Sequence, residues 1–579
     1  MGNTVSGEKN NRDLVTTRIS RHHLKALFRK EAKDSMSNIE LISISHFLFG
    51  NIKGLSETIT YESLLLKLNL HQLYETERGA ILYKILKNLS NWPCLNEFDN
   101  EEKPNEFTLY DILIIVYILN CNGFEKLGFN YYDYYVKLIF ILISSQDPDE
   151  KSEKNFDDND TQIDLISHGD KIKWDLLPLV QSFDRIEYNG ITKSKLEIFL
   201  NILLPLSIFE LNSNSFELDY STQIHSIIST LYLSSTEETL GLSTFIANFK
   251  NYTPYLFKPL NELLKPVILD QHVKGIDKET NVENEEGNGI IEQKLELNHK
   301  ILNFQLLSQL STIFDISGLN INVNSKPLYQ GSKHGYSINS IQSRTLNYNA
   351  STILLISGKT INKDRGQNKA FFKKFPKFHP VVISNVEIKE RQKFQIAVLM
   401  TNPWRITNTK NFGSKEFKII QLSPYQLVLN ANNSIPENYA YFSNIGLGLG
   451  FGSKPPSKFK DIKNNNINFN IGGTSLTIDN SLETGNFRIE DMSKLNSTYR
   501  LDSIFNNDSL YNDIWFKISE IEIYGLGDVQ ILEDQKRAME WEEREAERRR
   551  GIGNKDYNEG RALLELAGII GGSCSGGSI

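Results

Sequence analysis

The residues best placed to do chemistry are the first six, Met1-Gly2-Asn3-Thr4-Val5-Ser6. Removal of Met1 would expose the α-amine of Gly2, and Ser6 completes the M-G-x-x-x-[ST] pattern of N-myristoylation. Acyl transfer needs an unhindered amine on a flexible segment, and Gly7 to Asn11 are small or polar enough to supply one. Gly2 is the candidate lipidation site. Just downstream, Lys9, Arg12, Arg18, Arg21, Lys25, Arg29, Lys30 and Lys33 stand against only Glu8, Asp13 and Glu31. One myristoyl chain binds a bilayer marginally, on the order of 10⁴ M⁻¹, so stable residence takes a second signal. Basic residues beside anionic lipid contribute about 1 kcal/mol each. The stretch from Arg12 to Lys33 is either that signal or the solvated face of a surface helix, because Leu24, Leu27 and Phe28 fall at helical spacing.

Other motifs fail on spacing. Ser357-Gly358-Lys359-Thr360 ends like a phosphate-binding loop, but Ile353, inside a predicted strand, occupies the position where the cradle needs glycine. Gly446, Gly448, Gly450 and Gly452 alternate with apolar residues, which is no dinucleotide fingerprint. Asp157, Asp158 and Asp160 lack the alternating ligands of a calcium loop. The segment Ser182 to Phe199 comes closer. With Gly190 at loop position six, Glu187 and Asn189 fall on positions three and five, but Arg185 stands first and Leu196 last, where acids are required. This reads as a hand-like helix-loop-helix without calcium. His22-His23 is an isolated pair, and Cys94, Cys121 and Cys574 are too scattered for a disulfide framework or zinc site. No catalytic residue, cofactor site or metal site emerges.

The elements that must position these residues follow from composition and periodicity. At 579 residues, 40% of them hydrophobic, the chain is long enough for two or more domains. Its net charge of −8 argues against general nucleic-acid affinity. The longest apolar run, Ile112 to Leu119, falls well short of the ~20 residues that span a bilayer. The N-terminal stretch has no apolar signal region, so the expected compartment is the cytosol. We expect a flexible lipidated tail over 1–19 and a helical domain over 20–267, with an acidic surface loop at 147–170. An acidic linker at 268–298, a strand-rich domain at 299–527, and a charged helix with a Gly/Ser tail at 528–579 follow. The charged helix is predicted from Ile531 to Arg550 with Gly551 as its stop, its outer surface being either solvated or a partner contact.

The strand-rich half resembles the TLDc-domain family. The resemblance rests on LYQGSKHGYSINSIQSRTLNYNASTILLISG (328–358), NPWR (402–405), YFSNIGLGLGFGS (441–453), SLTIDNSLETGNFR (475–488) and FKISEIEIYGLG (516–527). The segment from Trp541 to Gly571 extends it toward a fungal subfamily. This implies an α+β fold: a helical, EF-hand-like N-terminal domain, then a TLDc β-sandwich flanked by helices. It also implies a non-catalytic regulator that binds the soluble sector of the vacuolar proton-pumping ATPase and influences its assembly. Such a protein would be cytoplasmic, attached peripherally to the vacuolar membrane through the Gly2 lipid and the basic residues Arg12 to Lys33, without direct nucleic-acid binding. The alternative is an oxidative-stress protection protein with an unrecognised enzymatic or scavenging activity, or an indirect role in telomere capping. One departure stands out. Gln395-Ile396-Ala397-Val398 replaces the family's aromatic-Gly-Ala-aromatic run, removing the close backbone approach that glycine allows at Ile396.

Overall fold

The computed structural model describes residues 14–50, 57–95, 105–119, 134–144, 162–168, 171–177, 190–232, 238–268, 299–315, 326–361, 390–431, 439–444, 448–455, 472–489, 499–501 and 512–566, with a few isolated positions between. Helices dominate the first half and antiparallel strands the second, an α+β arrangement. No helix among the described residues is long and apolar enough to cross a membrane. The apolar run Ile112 to Leu119 is instead a core helix, buried along its whole length.

The helical half repeats one local unit. A buried apolar strand residue, then Thr or Gly, then a helix recurs at Ile59-Thr60, Phe107-Thr108, Ile191-Thr192 and Leu240-Gly241. The strands are β2 (Thr58–Thr60), β3 (Glu106–Thr108), β6 (Ile191–Thr192) and β7 (Thr239–Leu240). They pair two by two, with Ile59 opposite Phe107 and Ile191 opposite Leu240. Threonine starts the helices by capping them. Thr60 Oγ1 accepts the Ser63 N–H at 3.2 Å, and Thr192 Oγ1 accepts that of Lys195 at 3.4 Å. Thr108 and Asp111 make a reciprocal pair at 3.1 and 2.9 Å. Each cap contributes about 1 kcal/mol. The result is two pairs of hand-like units.

This architecture shifts the one hand legible in the sequence by a residue. Its loop residues 182–189 lie outside the described residues, but the ladder makes Ile191 the eighth loop position, so Lys195 is the twelfth. Leu196 is wholly buried in the following helix, Lys193–Ser207. Gly190 is required by the ladder itself, since a Cβ there would lie 2.7 Å from the Leu240 carbonyl oxygen.

Two expectations about ordered segments also change. Leu14–Ile19 is strand β1, not part of a flexible tail, and it pairs antiparallel with β4 (Ile163–His168). β4 falls inside the stretch whose composition indicates an acidic loop. It alternates buried Ile163 and Leu165 with more exposed neighbours, and β5 (Lys171–Ile172) extends the small sheet. The partners are far apart in sequence, so neither strand is visible locally. Of the expected linker 268–298, residue 268 ends the helix Lys265–Ile268, and 269–298 lie outside the described residues.

The second half folds around one large antiparallel sheet. In addition to a separate hairpin, β15 (Ser457–Lys458) with β16 (Ile467–Asn468), it contains β8 (Tyr329–Gln330), β9 (Thr352–Thr360), β10 (Lys393–Met400), β11 (Lys418–Ser423), β12 (Leu427–Ala431), β13 (Ala440–Ser443) and β14 (Gly448–Phe451). β17 (Ser475–Ile478), β18 (Thr484–Ile489), β19 (Tyr499–Leu501) and β20 (Asn512–Gly525) complete it. The order is β13-β14-β17-β18-β20-β9-β10-β11-β12-β19, with β8 added to β20. The two ends meet: Tyr499 Oη, on β19, donates to the carbonyl of Tyr439, beside β13, at 3.0 Å. The sandwich is therefore one continuous sheet folded over, with the buried Phe394 ring tilted against those of Phe487 and Phe516. Ile396 sits mid-strand between Ile356 and Gln421 and is wholly buried, so an apolar side chain fills the place of the family glycine.

The helix Phe304–Ser311 joins the halves. Ser308 Oγ donates to Leu204 O at 2.7 Å, while Gln309 Nε2 donates to Leu422 O at 2.8 Å and to Gln426 Oε1 at 3.0 Å. Gln426, wholly buried, returns bonds to Thr312 Oγ1 and, through its own N–H, to Thr230 Oγ1. At the chain end, a single helix spans Val529–Leu566 and does not stop at Gly551. Gly551, Gly553 and Gly560 lie inside it, at a cost of about 1 kcal/mol each. Arg548 and Arg549 are thus mid-helix, each paired with Glu545 at 3.4 and 3.9 Å.

Gln421 is wholly buried, and neither atom of its amide has a hydrogen-bond partner. An unsatisfied buried amide costs about 1–3 kcal/mol, whereas an apolar group of the same shape does not. Gln421→Leu is expected to raise the urea unfolding midpoint, by about 1 kcal/mol of stability.

Candidate functional site: a carboxylate pair on the longest strand

Among the described residues of the sheet half, a set of titratable groups gathers on and around β20. The strand bulges at Ser519: Ile518 pairs with Gly358 and Glu520 with Ser357, leaving Ser519 unopposed. Beyond the bulge Glu520 and Glu522 share one face, as residues two apart in a strand must. Glu520 is 5% exposed and Glu522 0%. Two buried carboxylates are tolerable only if donors converge on them.

They do converge. Glu522 Oε1 accepts the Lys300 N–H at 2.9 Å and Gln330 Nε2 at 3.2 Å. Its Oε2 accepts the Leu302 N–H at 3.1 Å and Tyr524 Oη at 2.9 Å. Glu520 Oε1 accepts the Ser332 N–H at 2.9 Å, and Oε2 faces Lys300 Nζ at 3.6 Å. Tyr336 caps the bulge by donating to Ser519 O at 2.8 Å. One carboxylate thus clamps the entering segment 300–302 and the β8 residue Gln330 onto β20. The other holds the short turn Gly331–His334. These bonds occupy both oxygens of Glu522, which leaves no free lone pair at the position a general base would need. The pair is built to position main chain.

Two histidines line the same junction. Burial holds the His299 pKa below its ordinary value of 6.5, opposed by Glu522 and reinforced by Lys333. The His334 pKa is lowered by burial, then Arg344 and Lys333. His334 Nδ1 accepts the Gln330 N–H at 2.9 Å, which requires that nitrogen unprotonated. Burial and the two carboxylates also push the Tyr524 hydroxyl far above its usual range, keeping it a donor.

The residues singled out by sequence fall elsewhere. Gly2 and Arg12 lie outside the described residues. Arg18, on β1, is exposed and pairs with Asp164 at 3.3 Å. Arg29 turns inward, its guanidinium 4.0 Å from Asp111 and over the Tyr110 ring. Lys30 keeps an exposed position. Within the basic stretch Arg18 and Lys30 face solvent, whereas Arg21, Lys25, Arg29 and Lys33 are partly buried. Ser357 to Thr360 lie within β9, where a Cβ on Gly358 would stand 2.4 Å from the Lys517 carbonyl oxygen, so strand packing and not phosphate accounts for that glycine. His22 and His23 are exposed, and Cys94 is buried in the helical half. Among the described residues, no group of His, Cys, Asp and Glu could hold a metal ion. Sequence reading missed the carboxylate pair because Glu520 and Glu522, alternating with isoleucines, look like the solvent face of an amphipathic strand.

Glu522→Gln puts an NH₂ against two donors and is expected to cost about 2–3 kcal/mol, read from denaturant unfolding. The histidines add a pH dependence. Their folded pKa values lie below the unfolded value of about 6.5. The unfolded chain therefore binds more protons, and stability falls as pH drops below that point. His334→Asn retains an acceptor and removes a titrating group, so the loss in Tm between about pH 7 and about pH 5 should shrink.

A TLDc-domain family model matches residues 295–527. The chain is 28% identical to "Restriction of telomere capping protein 5" of Komagataella phaffii across 100% of both chains. It is 27% identical to the protein of that name in Zygosaccharomyces rouxii, covering 95% of this chain and 96% of that one. The Vanderwaltozyma polyspora protein of the same name is 36% identical over 48% of this chain and 50% of its own. The residues that form the clamped sheet thus match the TLDc-domain family, and the chain is similar along its full length to these fungal proteins.

Proposed function

We propose that this protein is a non-catalytic regulator, held at a cytosolic membrane face by a lipid on Gly2, that binds the vacuolar proton-pumping ATPase and biases its assembly. The observation that carries the non-catalytic part is the state of Glu522: its two oxygens accept from the Lys300 and Leu302 amides, the Gln330 side chain and the Tyr524 hydroxyl. Affinity for the pump is what the TLDc resemblance implies. A regulator of this kind acts only through different affinities for the assembled and separated pump.

The surfaces available for contact are the outer face of the sheet domain and the last helix. That helix is seated near its start, where Gln535 Nε2 donates to Arg344 O at 2.7 Å and Asn347 Nδ2 to Glu542 at 3.1 Å. Trp541 is 59% exposed there. On the membrane side, the edge strand β1 and exposed residues of the helix Arg21–Asp34 follow the lipidation motif directly. A second reading comes from the relatives' printed name: a role in restricting telomere capping. The acidic balance of this chain favours an indirect route to that role over contact with DNA.

Affinity purification of the full chain from its own cells tests the proposal. Enrichment of soluble-sector pump subunits is expected, and their absence under conditions that preserve the pump would overturn the reading. Gly2→Ala is expected to move the protein from the membrane to the soluble fraction with its Tm unchanged. Truncation after Arg544 leaves the seated turns in place and is expected to weaken pump recovery. Undiminished recovery would return the rest of the helix to a solvated role.

A further inference from the structure

The second hand-like unit retains more of a calcium loop than its sequence suggests. Counting back from Asp111 as the twelfth loop residue, Phe107 of the ladder is eighth, Glu106 seventh and Asn105 sixth. A calcium loop needs a sharp turn at position six, a main-chain carbonyl ligand at seven and a carboxylate at twelve. Asn105 has φ of 70°, a left-handed conformation that is uncommon outside glycine. The Glu106 carbonyl and the Asp111 carboxylate both approach one cation, the side-chain nitrogen of Lys87. Lys87 Nζ donates to Glu106 O at 3.3 Å and lies 3.9 Å from Asp111 Oδ2. It arrives from the helix Glu77–Ser90, is 5% exposed, and sits 5.5 Å from the centre of the Phe107 ring.

We propose that the Lys87 ammonium is the built-in cation of this hand, standing where a calcium-loaded hand holds its ion. On the same count Asn100 and Glu102 stand at positions one and three, but position five is Pro104, which has no side-chain oxygen to offer a metal. The other three units carry Ser63, Lys195 and Thr244 at position twelve, so none has a carboxylate that demands a cation. Lys195 spends its ammonium on Ser144 O at 2.9 Å. A tethered ammonium appears where the carboxylate remains. The first hand pair is then closed permanently and does not respond to calcium.

The test uses the full chain and a double-mutant cycle. The wild-type Tm is expected to be the same in calcium and in chelator. Lys87→Ala should lower Tm by roughly 5 °C, because it removes the buried charge partner of Asp111 and leaves only the partly exposed Arg29, 4.0 Å away. Lys87→Ala with Asp111→Asn should lose less than the sum of the single changes. Millimolar calcium, or a small alkylammonium ion, should recover part of the loss in Lys87→Ala and none in the double variant. Additive losses, recovery by neither cation, or a calcium-induced rise in the wild type as large as the variant's would each overturn the proposal. If Lys87→Ala does not fold, folding of the double variant supports the pairing. Failure of the double variant while Asp111→Asn alone folds would refute it.

Discussion

A negative charge sealed inside the sheet domain sets the arrangement around it. Glu522 is wholly buried, so its two oxygens must find donors that stay put. Four converge: two main-chain amides from residues 300–302, the amide of Gln330 and the hydroxyl of Tyr524. Meeting that demand locates the segment leading into the domain, the short strand β8 and the end of β20. Once 300–302 is fixed, the helix Phe304–Ser311 follows. It carries Ser308 and Gln309 into contact with the helical half. The chain thus runs from a buried carboxylate to the interdomain seam within a few residues.

The helical half meets a similar demand in a different way. There the buried charge is Asp111, and its partners come from two other helices, Lys87 and Arg29. Both halves use buried carboxylates as fasteners, and both surround them with aromatic rings. Breaking such a pair costs more than forming it contributes, because the partner left behind stays desolvated. These sites therefore specify geometry more than they add stability.

The groups whose types suggested chemistry turn out to serve packing: both oxygens of Glu522 hold main chain and neighbouring side chains, Arg29 reaches Asp111, and Gly358 lets β9 approach β20. In the function proposed above, the N-terminal lipidation motif would set the protein's place, and the sheet domain and the exposed part of the last helix would make the contact.

Much of this was legible in residue order. Helical periodicity from Leu64 to Leu203, β-rich runs such as 351–357 and 394–399, and the TLDc motifs follow from local patterns, because side-chain period and turn residues are local properties. So does the Gly2 motif. What local pattern could not show were the pairings across long sequence distances. β1 finds β4, Ile59 finds Phe107, and Tyr499 closes the sheet on Tyr439, each through contacts that no window of residues contains. Nor could charge be sorted into inside and outside. Glu520 and Glu522 read as solvent-facing alternation, and Arg29 reads like its exposed neighbour Lys30. The residue types were set in the chain. Which charges lie buried and paired depended on three-dimensional packing, because the desolvation cost of a carboxylate or guanidinium exists only once other segments exclude water around it.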